Sequence, residues 1–145
     1  KGRSRALLLG HQQREITLVD DTYNANPDSV RAAIEVLAAL PSPRLLVLGD
    51  MGEVGDQGPQ FHAEALQLAL ERNIEKVFVI GTASVHAAMK FECINVFAEM
   101  ADLQAAVLAT LPNVASILVK GSRFMKMERV VDGLCVACQQ ERAPC

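Results

Sequence analysis

Short apolar runs bounded by turn residues recur along the chain and alternate with segments of helical periodicity. The runs are rich in Val, Ile and Leu without clean polar alternation, which is typical of strands buried on both faces of a parallel sheet. They predict strands at ITLVDD (16–21), RLLVLGD (44–50), KVFVIG (76–81), INVF (94–97) and SILVKG (116–121). An earlier run, ALLLG (6–10), is joined to the first of these by the polar HQQRE, so this spacing predicts a hairpin with one antiparallel edge strand.

Between these strands, apolar residues repeat at helical spacing. Residues that share one helical face are Val30, Ala33, Ile34 and Leu37 after Pro27, then Phe61, Ala65, Leu68 and Ala69, and later Met127, Val130, Val131, Leu134 and Cys138. Shorter helices are predicted near 84–90 and 101–111. Strands that alternate with helices of this length predict right-handed crossovers and a doubly wound α/β sheet. Ligands of such sheets bind beyond the carboxyl ends of the strands.

The composition narrows the class of protein. The 145 residues suit one domain with a single core. The net charge of -3 argues against a nucleic-acid surface, which normally carries a basic excess. No apolar run approaches the roughly 18 residues needed to span a membrane, and no signal peptide is expected at the start of the given sequence.

The four cysteines and three histidines are the residues that could form a metal or redox site. Cys135 and Cys138 form a C-x-x-C, but no second ligand pair stands at zinc spacing, and both continue the apolar stripe of the last helix. They are interpreted as buried thiols, and free thiols are typical of a reducing compartment, so a cytoplasmic location is expected. His11, His62 and His86 are scattered, and we interpret them as non-catalytic.

The turn DDTYNANPDS follows the strand at 16–21 and carries an unusual number of polar side chains. Asn26 before Pro27 is a strong helix start signal, so capping explains this asparagine. Capping does not require Asp21, Tyr23 or Asn24. A carboxylate beside amide and phenol groups suits the hydroxyls of a ribose and a nucleotide base.

Two further strand ends carry candidate chemistry. The segment GDMGEVGDQG (49–58) contains Asp50 and two further acids among its glycines. It matches neither common phosphate-binding motif, so it predicts a mobile acidic loop. Lys120, Ser122 and Arg123 stand where a strand is expected to meet a helix, and cations at a helix N-terminus predict a carboxylate or phosphate site. The alternative is that Ser122 only caps the helix while the two cations are solvated.

The acids, Thr and Lys at successive strand ends are also compatible with a phospho-acceptor receiver domain or a nucleotide-sensing module. In a receiver, the acceptor Asp lies on the third strand, beyond an intervening strand and helix. Here a single helix separates Asp21 from Asp50, and nothing in that class explains TYNANPDS. The receiver therefore remains the second hypothesis.

A closer resemblance is carried by KGR (1–3), DDTYNANPDSV (20–30), VLGDMGEVG (47–55) and ILVKGSRFMKMERVV (117–131). In this order, the motifs resemble the C-terminal domain of the Mur ligases, from the first residue to about Leu134. The departures are Val54, Phe124 and Met125, which stand where other residues are usual. The resemblance implies a Rossmann-like three-layer domain of about six strands, mostly parallel, with one antiparallel edge strand.

The resemblance also implies an activity. D-D-[ST]-Y-N-A-N-P is the signature of the Mur ligase that joins D-Ala-D-Ala to UDP-MurNAc-tripeptide in peptidoglycan synthesis, using ATP and an acyl phosphate intermediate. Such an enzyme has three domains, and residues 1–145 would form the third, inactive alone. The phosphate loop and most Mg²⁺ ligands would belong to the central domain, since the chain contains no phosphate loop.

Site residues follow from the same resemblance, position by position. The ATP-facing set would be Arg3, Asp21, Tyr23, Asn24 and Asn26, with Arg3 near the phosphates and Asp21 on the ribose hydroxyls. The set facing D-Ala-D-Ala would be Asp50, Lys120, Ser122 and Arg123. No residue of the chain is expected to hold a metal.

Overall fold

The computed structural model describes residues 4–52 and 54–142 of the chain. Its strands are β1 (Arg5–His11), β2 (Arg14–Asp21), β3 (Arg44–Gly49), β4 (Lys76–Ile80), β5 (Asn95–Phe97), β6 (Ser116–Lys120) and β7 (Gln139–Arg142). Its α-helices are α1 (Pro27–Ala38), α2 (Gly58–Glu71), α3 (Thr82–Ala88), α4 (Met100–Ala109) and α5 (Glu128–Ala137). The strands form one sheet in the order β5-β4-β3-β6-β2-β1-β7.

The predicted mostly parallel α/β sheet is confirmed. Strands β2 to β6 are mutually parallel, and β1 runs antiparallel to β2 as the hairpin spacing predicted. The seventh strand was not predicted. It pairs antiparallel with the outer side of β1, so β1 lies one strand inside the edge.

Helices cover both faces of the sheet and bury one apolar layer on each side. Helices α1, α2 and α3 pack on one face, against residues such as Leu46, Val79 and Leu118. Helices α4 and α5 pack on the other face, against residues such as Leu45 and Ile117. A chain whose own helices close both faces has the core of an independently folding domain. In the described part of the chain, no helix has both the length and the apolar character required to cross a membrane.

The strand register determines which predicted site residues meet. Asp21 at the end of β2 pairs with Lys120 at the end of β6, and Leu48 near the end of β3 also pairs with Lys120. Because the parallel strands β2, β6 and β3 are adjacent, the turns that follow them lie side by side at one edge of the sheet.

The predicted helix start after β6 was wrong. A 3₁₀ turn, Arg123–Met125, follows Ser122, and Lys126 then adopts a left-handed conformation with φ 53°. The α-helix begins only at Glu128. Ser122 therefore does not stand at an α-helix N-terminus, and the anion site inferred from that position loses its helix dipole.

An ion pair between Arg44 and Glu75 lies at the other end of the strands, where β3 and β4 begin. The Glu75 carboxylate accepts hydrogen bonds from the Arg44 backbone N–H at 2.8 Å and from Arg44 Nε at 3.0 Å, and from the hydroxyl of Ser42. Burial by itself would raise the pKa of this carboxyl, but the hydrogen bonds from Arg44 and Ser42 outweigh it and lower the pKa to about 2. Glu75 thus joins the start of β3 to the segment before β4.

Glu75→Gln is expected to lower the free energy of unfolding near neutral pH by about 1–2 kcal/mol. This is less than the full pKa difference implies, because the Glu75 side chain is 36% exposed and partly screened. Since the folded-state pKa lies below the ordinary 4.5, the ionised carboxylate stabilises the fold fully above pH 4.5, and the contribution disappears as the pH falls toward 2. Urea unfolding at several pH values measures this; a pH-independent difference between the two proteins would contradict it.

Candidate functional site

An ion pair between Asp21 and Lys120 lies at the centre of the predicted site. Asp21 Oδ2 is 3.1 Å from Lys120 Nζ, and the side chains are 20% and 3% exposed. Lys120 Nζ also donates a hydrogen bond to the backbone carbonyl of Asn24 at 2.8 Å. The ammonium group is therefore surrounded by protein groups, while part of the Asp21 carboxylate remains open to solvent.

The neighbouring acid Asp20 has a different environment. Its Oδ2 accepts hydrogen bonds from Arg5 Nε and Nη2 at 3.1 and 3.0 Å, and its Oδ1 accepts one from the Thr22 hydroxyl at 2.6 Å. Arg5 belongs to β1, so Asp20 joins the two strands of the hairpin. The two adjacent carboxylates therefore have separate partners.

Tyr23 and Arg123 stack on each other at the surface. The Arg123 guanidinium carbon lies 4.8 Å from the centre of the Tyr23 ring, and Arg123 Nη1 donates to the Tyr23 hydroxyl at 3.2 Å. Tyr23 is 42% exposed. The pair joins one residue from the predicted ATP-facing set to one from the predicted dipeptide-facing set.

The two asparagines have local hydrogen bonds. Asn26 Oδ1 accepts the Ser29 backbone N–H at 2.8 Å, and the Ser29 hydroxyl accepts the Asn26 N–H, so the predicted N-cap is confirmed as a capping box. Asn24 Oδ1 accepts the Ala25 backbone N–H at 2.9 Å. Both side chains are exposed, and the NH₂ groups of both amides point to no partner among the described residues.

Asp50, which was predicted to face the dipeptide, is directed into the protein in this structure. Its carboxylate accepts the backbone N–H groups of Ala83 at 3.1 Å and Ser84 at 2.8 Å, in the first turn of α3. Asp50 is 8% exposed. The turn after β3 directs the Asp50 side chain along the end of the sheet toward the turn after β4. The carboxylate therefore caps α3 instead of facing solvent.

Ser122, also predicted to face the dipeptide, lines the cavity described below, but its hydroxyl is bonded within the protein. Both the backbone N–H and the hydroxyl of Ser122 donate to the carbonyl of Asp50, at 2.9 and 2.7 Å. Ser122 is 2% exposed and makes no side-chain cap. Together with Lys120, it fixes the turn after β6 against the turns after β2 and β3.

A cavity of about 430 Å³ opens between these turns. It is lined by Asn24, Ala25, Asn26, Pro27, Gly52, Val54, Ser122, Arg123 and Phe124. Tyr23 contacts the lining residue Arg123, and Asp21 is connected to the lining residue Asn24 through Lys120. Four of the predicted residues therefore line one concave site, while Arg3 lies outside the described residues.

A second cavity of about 710 Å³ lies beyond the ends of β4 and β5. Its lining is mainly apolar, with Thr82, His86, Glu99 and Arg129 as the polar residues. Met125 of the 3₁₀ turn contributes to its wall, so the segment after β6 borders both cavities. None of the residues predicted from the sequence as site residues lines this second cavity.

Two residues that were not predicted as site residues, His62 and Gly81, pack against the turn after β3. The buried His62 on α2 accepts the Met51 backbone N–H at 2.9 Å, beside Asp50. Gly81 has φ 111°, and a Cβ added there would stand 2.4 Å from Asp50 Oδ1. Neither residue belongs to a recognisable motif; the only local signal is a glycine at the end of β4.

The buried-thiol interpretation holds for Cys138, whereas Cys135 is only half-buried. Cys138 lies in the core beside α4 and α5, and Cys135 packs against it. Burial raises the pKa of both thiols, which keeps them protonated. Within residues 4–52 and 54–142, no group of three His, Cys, Asp or Glu side chains has the geometry of a metal site.

Comparison with known proteins places this arrangement in a family. The model of the family "Mur ligase, glutamate ligase domain" matches residues 4–123. UDP-N-acetylmuramoyl-tripeptide–D-alanyl-D-alanine ligase of Escherichia coli is 38% identical over 131 residues, which cover 88% of this chain and 28% of that protein. The chain thus spans little more than a quarter of the length of this relative.

Solved structures agree with the sequence comparison. A crystal structure of MurF from Acinetobacter baumannii superposes with a TM-score of 0.77 at 29% identity, covering 88% of this chain and 28% of that one. MurF ligase from Thermotoga maritima in complex with ADP gives 0.68 at 27% identity, covering 87% and 29%.

These comparisons do not support the receiver hypothesis, and the geometry also opposes it. The Asp50 carboxylate, which would be the phosphate acceptor, is buried and bonded to α3. The family model spans most of the chain, including the turns after β2 and β3 and the first residues of the turn after β6. The chain therefore belongs to the Mur ligase family and carries its C-terminal, glutamate ligase domain.

Proposed function

We propose that this chain is the C-terminal domain of an ATP-dependent ligase that joins D-Ala-D-Ala to UDP-MurNAc-tripeptide in peptidoglycan precursor synthesis. The proposal is supported by the name of the Escherichia coli relative and by the sequence identity over most of this chain. The observation that carries it is the cavity between the turns after β2 and β6, whose wall includes Asn24 and Arg123. The Asp21–Lys120 ion pair is bonded to the Asn24 carbonyl, and Tyr23 stacks on Arg123.

ATP would bind with its nucleoside part against the turn after β2. The partly exposed Asp21 carboxylate is suited to the two ribose hydroxyls, and the buried Lys120 ammonium holds it in place. The exposed Tyr23 ring offers a face to a base. ADP in the Thermotoga maritima relative supports a nucleotide in this family. Arg3 would reach the phosphates, as the resemblance implies.

The roles proposed for the dipeptide-facing residues change with the geometry. Lys120 and Ser122 are buried and bonded to neighbouring turns, and Asp50 caps α3, so we assign these three to positioning. Arg123 keeps an exposed guanidinium at the cavity rim. We therefore propose Arg123 as the partner for the free carboxylate of D-Ala-D-Ala.

In the reaction, the terminal carboxylate of the tripeptide attacks the γ-phosphorus of ATP and gives an acyl phosphate and ADP. The amine of D-Ala-D-Ala then attacks the acyl carbon, an amide bond forms, and phosphate leaves. Such a transfer depends on positioning and on neutralising phosphate charge. As the family resemblance implies, Mg²⁺ would be held mainly by the central domain of the full-length protein.

Asp21→Asn in the full-length protein is expected to raise the KM for ATP about tenfold, because the amide replaces a charged acceptor for the ribose hydroxyls. The KM for D-Ala-D-Ala is expected to change much less. The assay follows ADP release that depends on both UDP-MurNAc-tripeptide and the dipeptide. If no such ADP release occurs with the unmodified protein, the proposed function is wrong.

Asp20→Asn is the matched control for this experiment. Asp20 is the adjacent carboxylate on the same strand, and its partners are Arg5 and Thr22 on the hairpin side. It should leave the KM for ATP near that of the unmodified protein. An unchanged KM for ATP in Asp21→Asn, or an equal rise in both variants, would refute the ribose assignment.

A further inference from the structure

A buried histidine lies directly beneath the turn after β3. His62 is 1% exposed, and its Nε2 accepts the backbone N–H of Met51 at 2.9 Å. Its Nδ1 lies 2.6 Å from the carbonyl oxygen of Gly58. A backbone N–H can only donate and a carbonyl can only accept, so the ring is neutral with its proton on Nδ1. Both ring nitrogens are thus engaged by backbone groups.

The residue that His62 holds is part of the connection between three turns. Met51 follows Asp50, whose carbonyl accepts the N–H and hydroxyl of Ser122 and whose carboxylate caps α3. His62 Nε2 is also 4.0 Å from Asp50 Oδ1. A shift of Met51 would therefore move Asp50 against both Ser122 and α3.

The same turn forms one wall of the 430 Å³ cavity. Gly52 follows Met51 and lines the cavity together with Phe124 and Ser122. A Cβ added at Gly52 would stand 3.0 Å from Phe124 Cε2, so the turn after β3 and the turn after β6 are in close contact there. The width of the cavity thus depends on where Met51 and Gly52 are held.

We propose that His62 is a positioning residue for the ligand site, acting through the Met51 N–H to fix the turn from Asp50 to Gly52 as the wall of the cavity. The inference rests on the proposed function only where it concerns ATP. The positioning itself is a property of the turn and is measured without any ligand.

Two substitutions in the full-length protein distinguish the hydrogen bond made by Nε2 from the one made by Nδ1. His62→Gln places an amide oxygen near the position of Nε2, where it can accept the Met51 N–H, whereas the amide of His62→Asn stays near Nδ1 and is too short to reach it. Amide hydrogen exchange without substrates should accelerate about tenfold or more at Met51 in His62→Asn, and much less in His62→Gln. Equal exchange rates in the two variants, or no acceleration in His62→Asn, would overturn the proposal.

Kinetics of the same variants test the consequence for the site. His62→Asn is expected to raise the KM for ATP about tenfold, with a smaller rise in His62→Gln. If exchange at Met51 accelerates but the KM for ATP does not change, the turn does not form the ATP wall and the inference fails. If no ATP-dependent ligation is detected in the unmodified protein, only the proposed function fails, and the exchange result still decides the positioning role.

Leu66→Ala is the control for a general loss of stability. Leu66 lies on the same helix, is 1% exposed, and packs in the apolar layer between α1, α2 and the sheet. It removes core volume without removing the acceptor for the Met51 N–H. At a temperature where both variants are folded, Leu66→Ala should keep the KM for ATP of the unmodified protein. A rise equal to that of His62→Asn would show a merely structural role.

Discussion

Gly81→Ala is expected to lower the free energy of unfolding of the chain by about 3 kcal/mol or more, from backbone strain and a steric clash together. Gly81 has φ 111° and ψ 152°, a conformation that residues with a Cβ rarely adopt. The added Cβ would stand 2.4 Å from Oδ1 and 2.5 Å from Cγ of Asp50. Urea unfolding of the chain would measure the loss.

Gly55→Ala is the matched control, because Gly55 also has positive φ, 63°, but its added Cβ would have no heavy atom of the described residues within 4 Å. It should cost about 1–2 kcal/mol, the strain of the left-handed region alone. In an Asp50→Ala background, which removes the clashing carboxylate, Gly81→Ala should cost less than in the unmodified chain. A loss in Gly81→Ala no greater than in Gly55→Ala would contradict this account of the clash.

The importance of Gly81 illustrates what the sequence could and could not predict about the site. The apolar runs predicted where each strand ends, and the polar residues after three of these ends do meet at one edge of the sheet. The sequence did not predict that they bond to one another. The direction of a side chain in a turn depends on the neighbouring turn across the sheet, and sequence spacing carries no information about it.

Local interactions were predicted better than those between turns. The Asn26 cap joins residues three apart in sequence, and the motif alone was sufficient to predict it. The contact between His62 and Met51, and the cap of Asp50 on α3, join segments that only the folded sheet brings together. From the sequence, His62 was therefore interpreted only as non-catalytic, and Asp50 was predicted to face D-Ala-D-Ala.

The two errors in the fold have a similar origin. Strand β7, Gln139–Arg142, is polar and lies at the sheet edge, so it lacks the apolar run that marked the other strands. The 3₁₀ turn before α5 ends at Lys126 with positive φ, where no glycine gives a signal in the sequence. Buried regular elements leave a pattern, whereas edge strands and irregular turns are determined by tertiary contacts.

Lys120→Met is expected to lower the free energy of unfolding by about 2–3 kcal/mol, because it leaves the Asp21 carboxylate and the Asn24 carbonyl without their donor. Asp21→Asn is expected to be at least as damaging, about 3–4 kcal/mol, because it leaves an ammonium group in a buried position. The side-chain exposures, 3% for Lys120 and 20% for Asp21, explain the order of the two losses. Urea unfolding of the chain measures both.

The double variant Asp21→Asn/Lys120→Met separates the folding role of this pair from its proposed role in ATP binding. With both charges removed, the loss of stability should fall to about 1 kcal/mol, well below the sum of the single losses, because the two side chains are in direct contact. A loss equal to that sum would contradict the ion pair. In the full-length protein, the double variant should nevertheless keep the raised KM for ATP, since the ribose hydroxyls still lack the carboxylate. If the KM for ATP returned to normal together with stability, Asp21 would act only through the fold, and the nucleotide would have to be held by other groups at the cavity.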